Sequence, residues 1–292
     1  MRNGVHRPSV SREVPAVRLA RVFSVDLPDG RRLTGRLWPG HGDPLVLIHG
    51  LFAHSACWAD VASRTARPAL AVDLPGFRGS DLPVAPRIDC YADDVAFALE
   101  ALNVRRATLV GHSLGGAVAA ALAERSSAVE SLVLLAPAGF GRIRVTEVLT
   151  LPVVVDLATL ALPLAFINPF LLSAAYAIFA GHGRLPERRL VARLRSDAAR
   201  APRGVRAAVT AIAARGREDQ RRLRFDGRVG VVWGADDAVV PVSHAAGVRI
   251  AFPRAEIEAW PGMGHHPQDE HLADLVSIIE RFRHDSRIAA AA

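Results

Sequence analysis

One short run constrains this chain more than any other: Gly111-His112-Ser113-Leu114-Gly115. It follows the apolar run Ala107-Thr108-Leu109-Val110 and leads into Gly116-Ala117-Val118-Ala119-Ala120-Ala121-Leu122-Ala123, which reads as a helix. The order is strand, sharp turn, helix, with a serine at the apex and a glycine two positions to either side. A turn that tight brings neighbouring backbone into near contact, and side chains at the flanking positions would block it. The helix begins directly behind Ser113, so the Leu114 N–H is aimed at any negative charge that forms there.

The rest of the chain supplies neighbours for that strand. Arg21–Leu27 and Arg31–Trp38 flank the turn tripeptide Pro28-Asp29-Gly30 and read as a β-hairpin. Leu45–Ile48 is a fully apolar run ending in His49-Gly50, and Ala69–Val72 ends in Asp73-Leu74-Pro75-Gly76. Asp93 to Leu102 is helical, with Val95, Ala98, Leu99 and Leu102 on one face, and Ser131–Ala136 is another buried strand. The alternation stops near Gly139 and resumes at Val229–Trp233. A helix around Val242–Ala251, a strand at Glu256–Trp260 and a last helix from about Asp269 to Arg283 follow. The predicted fold is α/β, a mostly parallel twisted sheet with helices on both faces and right-handed crossovers.

With 292 residues, half of them hydrophobic, the chain suits one large α/β domain carrying an insertion. Residues 1–17 read as a flexible arm, 18–139 and 228–284 as the core, 140–227 as a helical cap after the sixth strand, and 285–292 as a frayed tail. Val148 to Ala180 is very apolar, broken by Pro152, Pro163 and Pro169 into short helices, whereas Arg184 to Arg228 holds fourteen arginines against five acids. Asp156 and two prolines interrupt Val148–Phe166, which favours a lid over a membrane span. A peripheral membrane contact, helped by the arginines, is the less favoured reading. All 36 basic residues are arginine, which reads as a coding bias, so the net charge of +7 argues only weakly for a nucleic-acid partner. No nucleic-acid-binding signature accompanies it. Cys57 and Cys90 are too few for a disulfide framework and read as lone buried thiols. The first nineteen residues lack a continuous apolar stretch, so no signal peptide is read and a cytoplasmic location is expected. The oligomeric state is left open.

A serine hydroxyl needs a base to take its proton and a third group to orient that base. Trp233-Gly234-Ala235-Asp236-Asp237-Ala238-Val239-Val240-Pro241 places two carboxylates after one apolar strand. Gly262-Met263-Gly264-His265-His266 places two imidazoles after the next. In a parallel sheet both loops emerge at the same edge as the serine turn, so the three side-chain types can converge in the order Ser, Asp, His.

These segments, with His49-Gly50, Asp73-Leu74-Pro75-Gly76-Phe77-Arg78-Gly79-Ser80 and Leu135-Ala136-Pro137, make the chain resemble the α/β-hydrolase family from about residue 20 to residue 283. The resemblance implies Ser113 as nucleophile. It selects Asp237 over Asp236, three residues after the Trp-Gly glycine and four before the proline, and His265 over His266, directly after Gly-x-Gly. It also implies backbone N–H groups of Leu51 and Leu114 as the oxyanion hole. Asp236 is then read as a loop-capping carboxylate and His266 as a rim or solvent-facing imidazole. His49 and His112 read as structural, and Asp73 with Gly76–Gly79 as a turn-holding loop. Arg78 stands where the family has a small residue, and reaches the pocket or lies in solvent. His244 and His271 read as surface residues.

A serine at the apex speaks against the haloalkane dehalogenase and epoxide hydrolase branches, which need a carboxylate there. The implied chemistry is hydrolysis of a carboxylic ester with a hydrophobic acyl or alcohol part, through an acyl-enzyme, with no metal or organic cofactor. The expected partner is a small apolar ester or acyl substrate, not nucleic acid. C–C bond hydrolases, thioesterases, perhydrolase-type haloperoxidases and acyltransferases share the same triad. Leu51-Phe52-Ala53 lacks the glycine run typical of the C–C hydrolases. A non-enzymatic small-molecule receptor is the alternative from another class, and it would not require all of these positions to be filled.

Overall fold

The computed structural model describes residues 18–151, 168–179, 191 and 202–283. The expected arm, tail and much of the expected cap, including most of Val148–Phe166, lie outside the described residues. Eight strands form one sheet: β1 Arg21–Asp26, β2 Arg32–Trp38, β3 Leu45–Ile48, β4 Ala69–Asp73, β5 Ala107–His112, β6 Val129–Leu135, β7 Arg228–Gly234 and β8 Glu256–Trp260. Their spatial order is β1-β2-β4-β3-β5-β6-β7-β8. The hairpin β1–β2 and the β2–β4 pairing are antiparallel, and the other pairings are parallel. The C-terminal ends of β3, β5, β7 and β8 therefore share one edge, and the loops after them meet there.

Among the described residues the helices are α1 Ala59–Arg64, α2 Ile88–Ala101, α3 Leu114–Ala123, α4 Arg144–Val148, α5 Pro169–Phe179, α6 Pro202–Arg217, α7 Ala245–Ala251, α8 Pro267–Glu270 and α9 Leu272–Arg281. Both faces of the middle of the sheet are covered, which is why the inner strands β3 and β4 read as unbroken apolar runs. Val46 and Ile48, Leu70 and Val72, Leu132 and Leu134 point into one core with Val95 and Leu99 of α2 and Val118 and Leu122 of α3. Their neighbours Leu45 and Leu47, Ala69 and Ala71, Val133 and Leu135 point into the other with Val61 of α1 and Leu275 and Ile279 of α9. The period of two sends alternate side chains to opposite layers.

Within 140–227, α6 buries Val205, Ala208, Val209 and Ile212 in the same cluster as α2 and α3. The described part of the insertion thus shares its core with the sheet. No described helix is long and apolar enough to cross a membrane. Cys57 is buried and Cys90 half-buried, and no disulfide joins them. His244 departs from the surface reading: the main chain at Gly141, where the chain leaves the sheet, packs on its ring. Burial there lowers its pKa.

A surface tie closes the insertion onto α3. Arg221 donates two hydrogen bonds of 2.7 Å to Glu124, and the Arg224 N–H adds a third at 3.1 Å. The Arg221 bonds chiefly hold the Glu124 carboxyl down to about 2. A carboxyl lowered on folding stabilises above its unfolded value, and that contribution is lost as pH falls through the folded one. Linkage alone would make that shift worth about 3 kcal/mol, but solvent screening of this surface pair is expected to leave Glu124→Gln costing only about 1 kcal/mol at pH 7. In chemical denaturation at stepped pH the difference from wild type should hold down to about 4.5, then shrink toward zero on the way to about 2. A gap that persists unchanged at the acid end would refute the ion-pair origin.

Candidate active site

Ser113 closes β5 and precedes α3 at φ 53° and ψ −116°. That left-handed conformation costs a non-glycine residue about 1–3 kcal/mol. The surroundings enforce it. The Ser113 N–H donates to the Leu135 carbonyl at 2.9 Å, while its own carbonyl accepts from the N–H groups of Gly116, Ala117 and Ala138. The flanking glycines are required by close approach: a Cβ on Gly115 would lie 2.2 Å from the Ile48 carbonyl oxygen, and one on Gly111 2.4 Å from the Gly115 oxygen.

The loop after β3 lies directly beside the serine. A Cβ on Gly50 would come 3.1 Å from the Ser113 Cβ. His49 shapes this loop, as expected: its Nε2 accepts the Leu74 N–H at 2.9 Å, so its Nδ1 carries the proton and donates to the Gly50 carbonyl at 2.8 Å. Asp73 ties the far end, its Oδ1 accepting the Ser55 N–H at 2.7 Å and its Oδ2 the Thr34 hydroxyl at 3.0 Å. Phe52 takes φ 60° between these anchors. The N–H groups of Leu51 and Leu114 have no acceptor among the described residues. Arg78, at φ 53°, is exposed.

Asp237 and His265 meet. His265 Nδ1 is 2.7 Å from Asp237 Oδ2. A carboxylate only accepts, so Nδ1 carries the proton and the neutral ring keeps Nε2 bare. The other carboxylate oxygen of Asp237 accepts the N–H groups of Val239 and Val240 at 2.8 and 2.9 Å. Trp233 braces that loop by donating its indole N–H to the Val240 carbonyl at 2.8 Å. Burial alone would raise the Asp237 carboxyl, but the charge that His265 carries once protonated, its hydrogen bond and the two backbone donors outweigh it and leave it below its ordinary value. Ser113, Asp237 and His265 are all buried, at 6%, 7% and 5% exposure, so charges developing here are poorly screened.

Asp236 stays outside this pair, and its backbone N–H donates to the Met263 carbonyl at 3.1 Å. His266 is half-buried, its ring 5.3 Å from that of His265. Among the described residues no group of three or more His, Cys, Asp or Glu side chains is placed to hold a metal ion. A groove of about 700 Å³ lined by Glu124, Ser126, Phe225 and Arg228 lies at the opposite edge of the sheet, away from this chemistry.

A sequence model of the alpha/beta hydrolase fold matches residues 43–272. The chain belongs to the α/β-hydrolase fold family. An uncharacterized protein of Mycobacterium tuberculosis is 31% identical to this α/β-hydrolase over 259 residues, 83% of this chain and 76% of that protein. A 2-hydroxymuconate semialdehyde hydrolase of Pseudomonas sp. strain CF600 is 28% identical over 277 residues, covering 86% of this chain and 90% of that one. A solved thermophilic esterase from Thermogutta terrifontis aligns with a TM-score of 0.69 at 21% identity, over 90% of this chain and 98% of its own, a likeness of fold.

One residue at the site of this α/β-hydrolase escapes a reading of motifs. Glu270, at the end of α8, turns its carboxylate back to accept the N–H groups of Gly264 and His266 at 2.9 and 3.1 Å. It clamps the main chain on both sides of His265. The only sequence signal for it is an acid five residues beyond the histidine, after the helix-starting Pro267.

Proposed function

We propose that this α/β-hydrolase is a serine hydrolase that cleaves a small carboxylic ester, with a hydrophobic acyl or alcohol part, through an acyl-enzyme. The observation that carries the reading is the buried Asp237–His265 pair, whose 2.7 Å contact leaves His265 Nε2 bare on the ring. In this reading Ser113 Oγ attacks the ester carbonyl carbon as Nε2 takes its proton. The Asp237 carboxylate stabilises the imidazolium, and the Leu51 and Leu114 N–H groups receive the oxyanion. Collapse of the tetrahedral intermediate breaks the bond to the alcohol oxygen, which takes the proton back from His265. Water, deprotonated by the same nitrogen, then releases the acid.

A second reading, hydrolysis of a C–C bond in an activated diketone or semialdehyde, draws support from the likeness to the 2-hydroxymuconate semialdehyde hydrolase along most of both chains. It uses the same residues with a carbon leaving group. The test pairs fluorophosphonate labelling with turnover of p-nitrophenyl esters from acetyl to palmitoyl and of one vinylogous semialdehyde. The expected result is a single adduct, mapped by mass spectrometry to Ser113, with ester turnover peaking at some chain length. Turnover of the semialdehyde alone would favour the second reading, and no adduct on Ser113 would refute both.

A further inference from the structure

The reaction above leaves the His112 side chain unused, although its ring touches both the oxyanion turn and the loop that carries His265. Its Nε2 lies 2.7 Å from the carbonyl oxygen of His265. A carbonyl only accepts, so Nε2 carries a proton and donates it. The bare Nδ1 faces the side-chain amide of Gln268 at 3.4 Å. On the same side the oxyanion turn abuts the ring, since a Cβ on Gly50 would lie 2.8 Å from Nδ1. The ring centroid is 4.8 Å from that of His265 and 5.2 Å from that of His266. His112 itself is 3% exposed, and burial, reinforced by the two neighbouring imidazoles, drives its pKa well below the usual value.

These contacts matter because of where His265 sits. Its loop follows β8, an edge strand paired on one side only and largely exposed. Sheet pairing alone leaves such a loop weakly located. Glu270 holds the N–H groups on either side of His265, and Asp237 holds the rotation of its ring. The carbonyl of His265 is held by His112, the residue covalently joined to Ser113.

We infer that His112 is a positioning residue: its buried, neutral imidazole ties the His265 main chain to the strand end that carries Ser113, and so sets the reach from base to nucleophile. The inference rests on the proposed roles of Ser113 and His265. His112 is not a second base, because both ring nitrogens are engaged inside the protein. A misplacement of about 1 Å at a reacting centre costs on the order of 10²-fold in rate.

The test compares wild type with His112→Phe, His112→Gln and His265→Ala on one p-nitrophenyl ester. Phenylalanine keeps a planar ring but removes the donor, and glutamine restores an N–H close to the position of Nε2. His112→Phe should lower kcat by about 10²-fold with KM within about threefold of wild type, and slow fluorophosphonate labelling in parallel. His112→Gln should recover at least about tenfold of that loss, which a core filler would not do. In the wild-type protein, histidine ¹⁵N shifts should show one ring, absent from His112→Gln, that stays neutral with its proton on Nε2 from about pH 5 to 9. This signal tests the proposal even if His112→Phe does not fold. A titrating or Nδ1-protonated His112 overturns the inference, as does His112→Phe turning over within about threefold of wild type while His265→Ala is inactive. Full turnover by His265→Ala overturns the proposed function instead, and the inference with it.

Discussion

Asp237→Asn is expected to lower kcat on a p-nitrophenyl ester by about 10⁴-fold, with KM and the fold left in place. The size follows from how the carboxylate is held. One oxygen accepts the N–H groups of Val239 and Val240, and the other faces His265 Nδ1. An asparagine must keep its oxygen toward the two backbone donors, because leaving both unpaired in a buried loop would cost more than any rearrangement at the ring. Its NH2 group is then turned toward Nδ1. Two N–H groups cannot share that contact, so the histidine moves its proton to Nε2, the nitrogen that should receive the serine proton. The variant also loses the negative charge that stabilises the imidazolium in a poorly screened site. Steady-state kinetics decide it: a loss under tenfold, or a loss carried by KM, would mean that Asp237 neither orients nor charges the base. Circular dichroism should match wild type, since the substitution preserves shape and removes a buried charge.

How far the sequence foretells this arrangement depends on what each feature requires. The inner strands are legible because a sheet covered on both faces cannot alternate with water, and Leu45–Ile48 falls where its apolar run puts it; the edge strand Glu256–Trp260 is half-exposed and reads from its own alternation. Once their order is known, the shared C-terminal edge follows, and with it the meeting of Asp237 with His265. Helix ends are less legible. The run from Asp93 reads as helix, but α2 begins at Ile88, behind an Arg87 that offers no side-chain cap and so no signal. The final helix, read as continuous from Asp269, is two helices broken at His271, whose φ of −136° and ψ of 52° leave the helical region. The break accompanies the return of Glu270 toward Gly264 and His266. That return depends on loop geometry in three dimensions, which no residue spacing encodes. The same holds for His112, whose hydrogen bond to His265 joins residues 153 positions apart.

Gly115→Ala is expected to cost about 3 kcal/mol of stability or more, at the upper end for overpacking. On helix propensity alone the change should help by about 1 kcal/mol, since Gly115 lies in the first turn of α3. Steric conflict decides the sign. The new Cβ would sit 2.2 Å from the Ile48 carbonyl oxygen and 2.6 Å from that of His49. These are backbone atoms at the end of β3, a strand paired with β4 on one side and β5 on the other, so neither can yield without disturbing the sheet. A shift of α3 away from β3 would instead move the Leu114 and Leu51 N–H groups apart, so any folded fraction should also lose turnover. Gly30→Ala is the matched control. Gly30 has φ +83° but open space around its missing side chain, so alanine there costs only left-handed strain, about 1–2 kcal/mol. Urea denaturation of the two variants separates the causes: equal losses would refute the steric account, and a much larger loss at Gly115 would show that contact between β3 and the serine turn, rather than backbone freedom, demands glycine there.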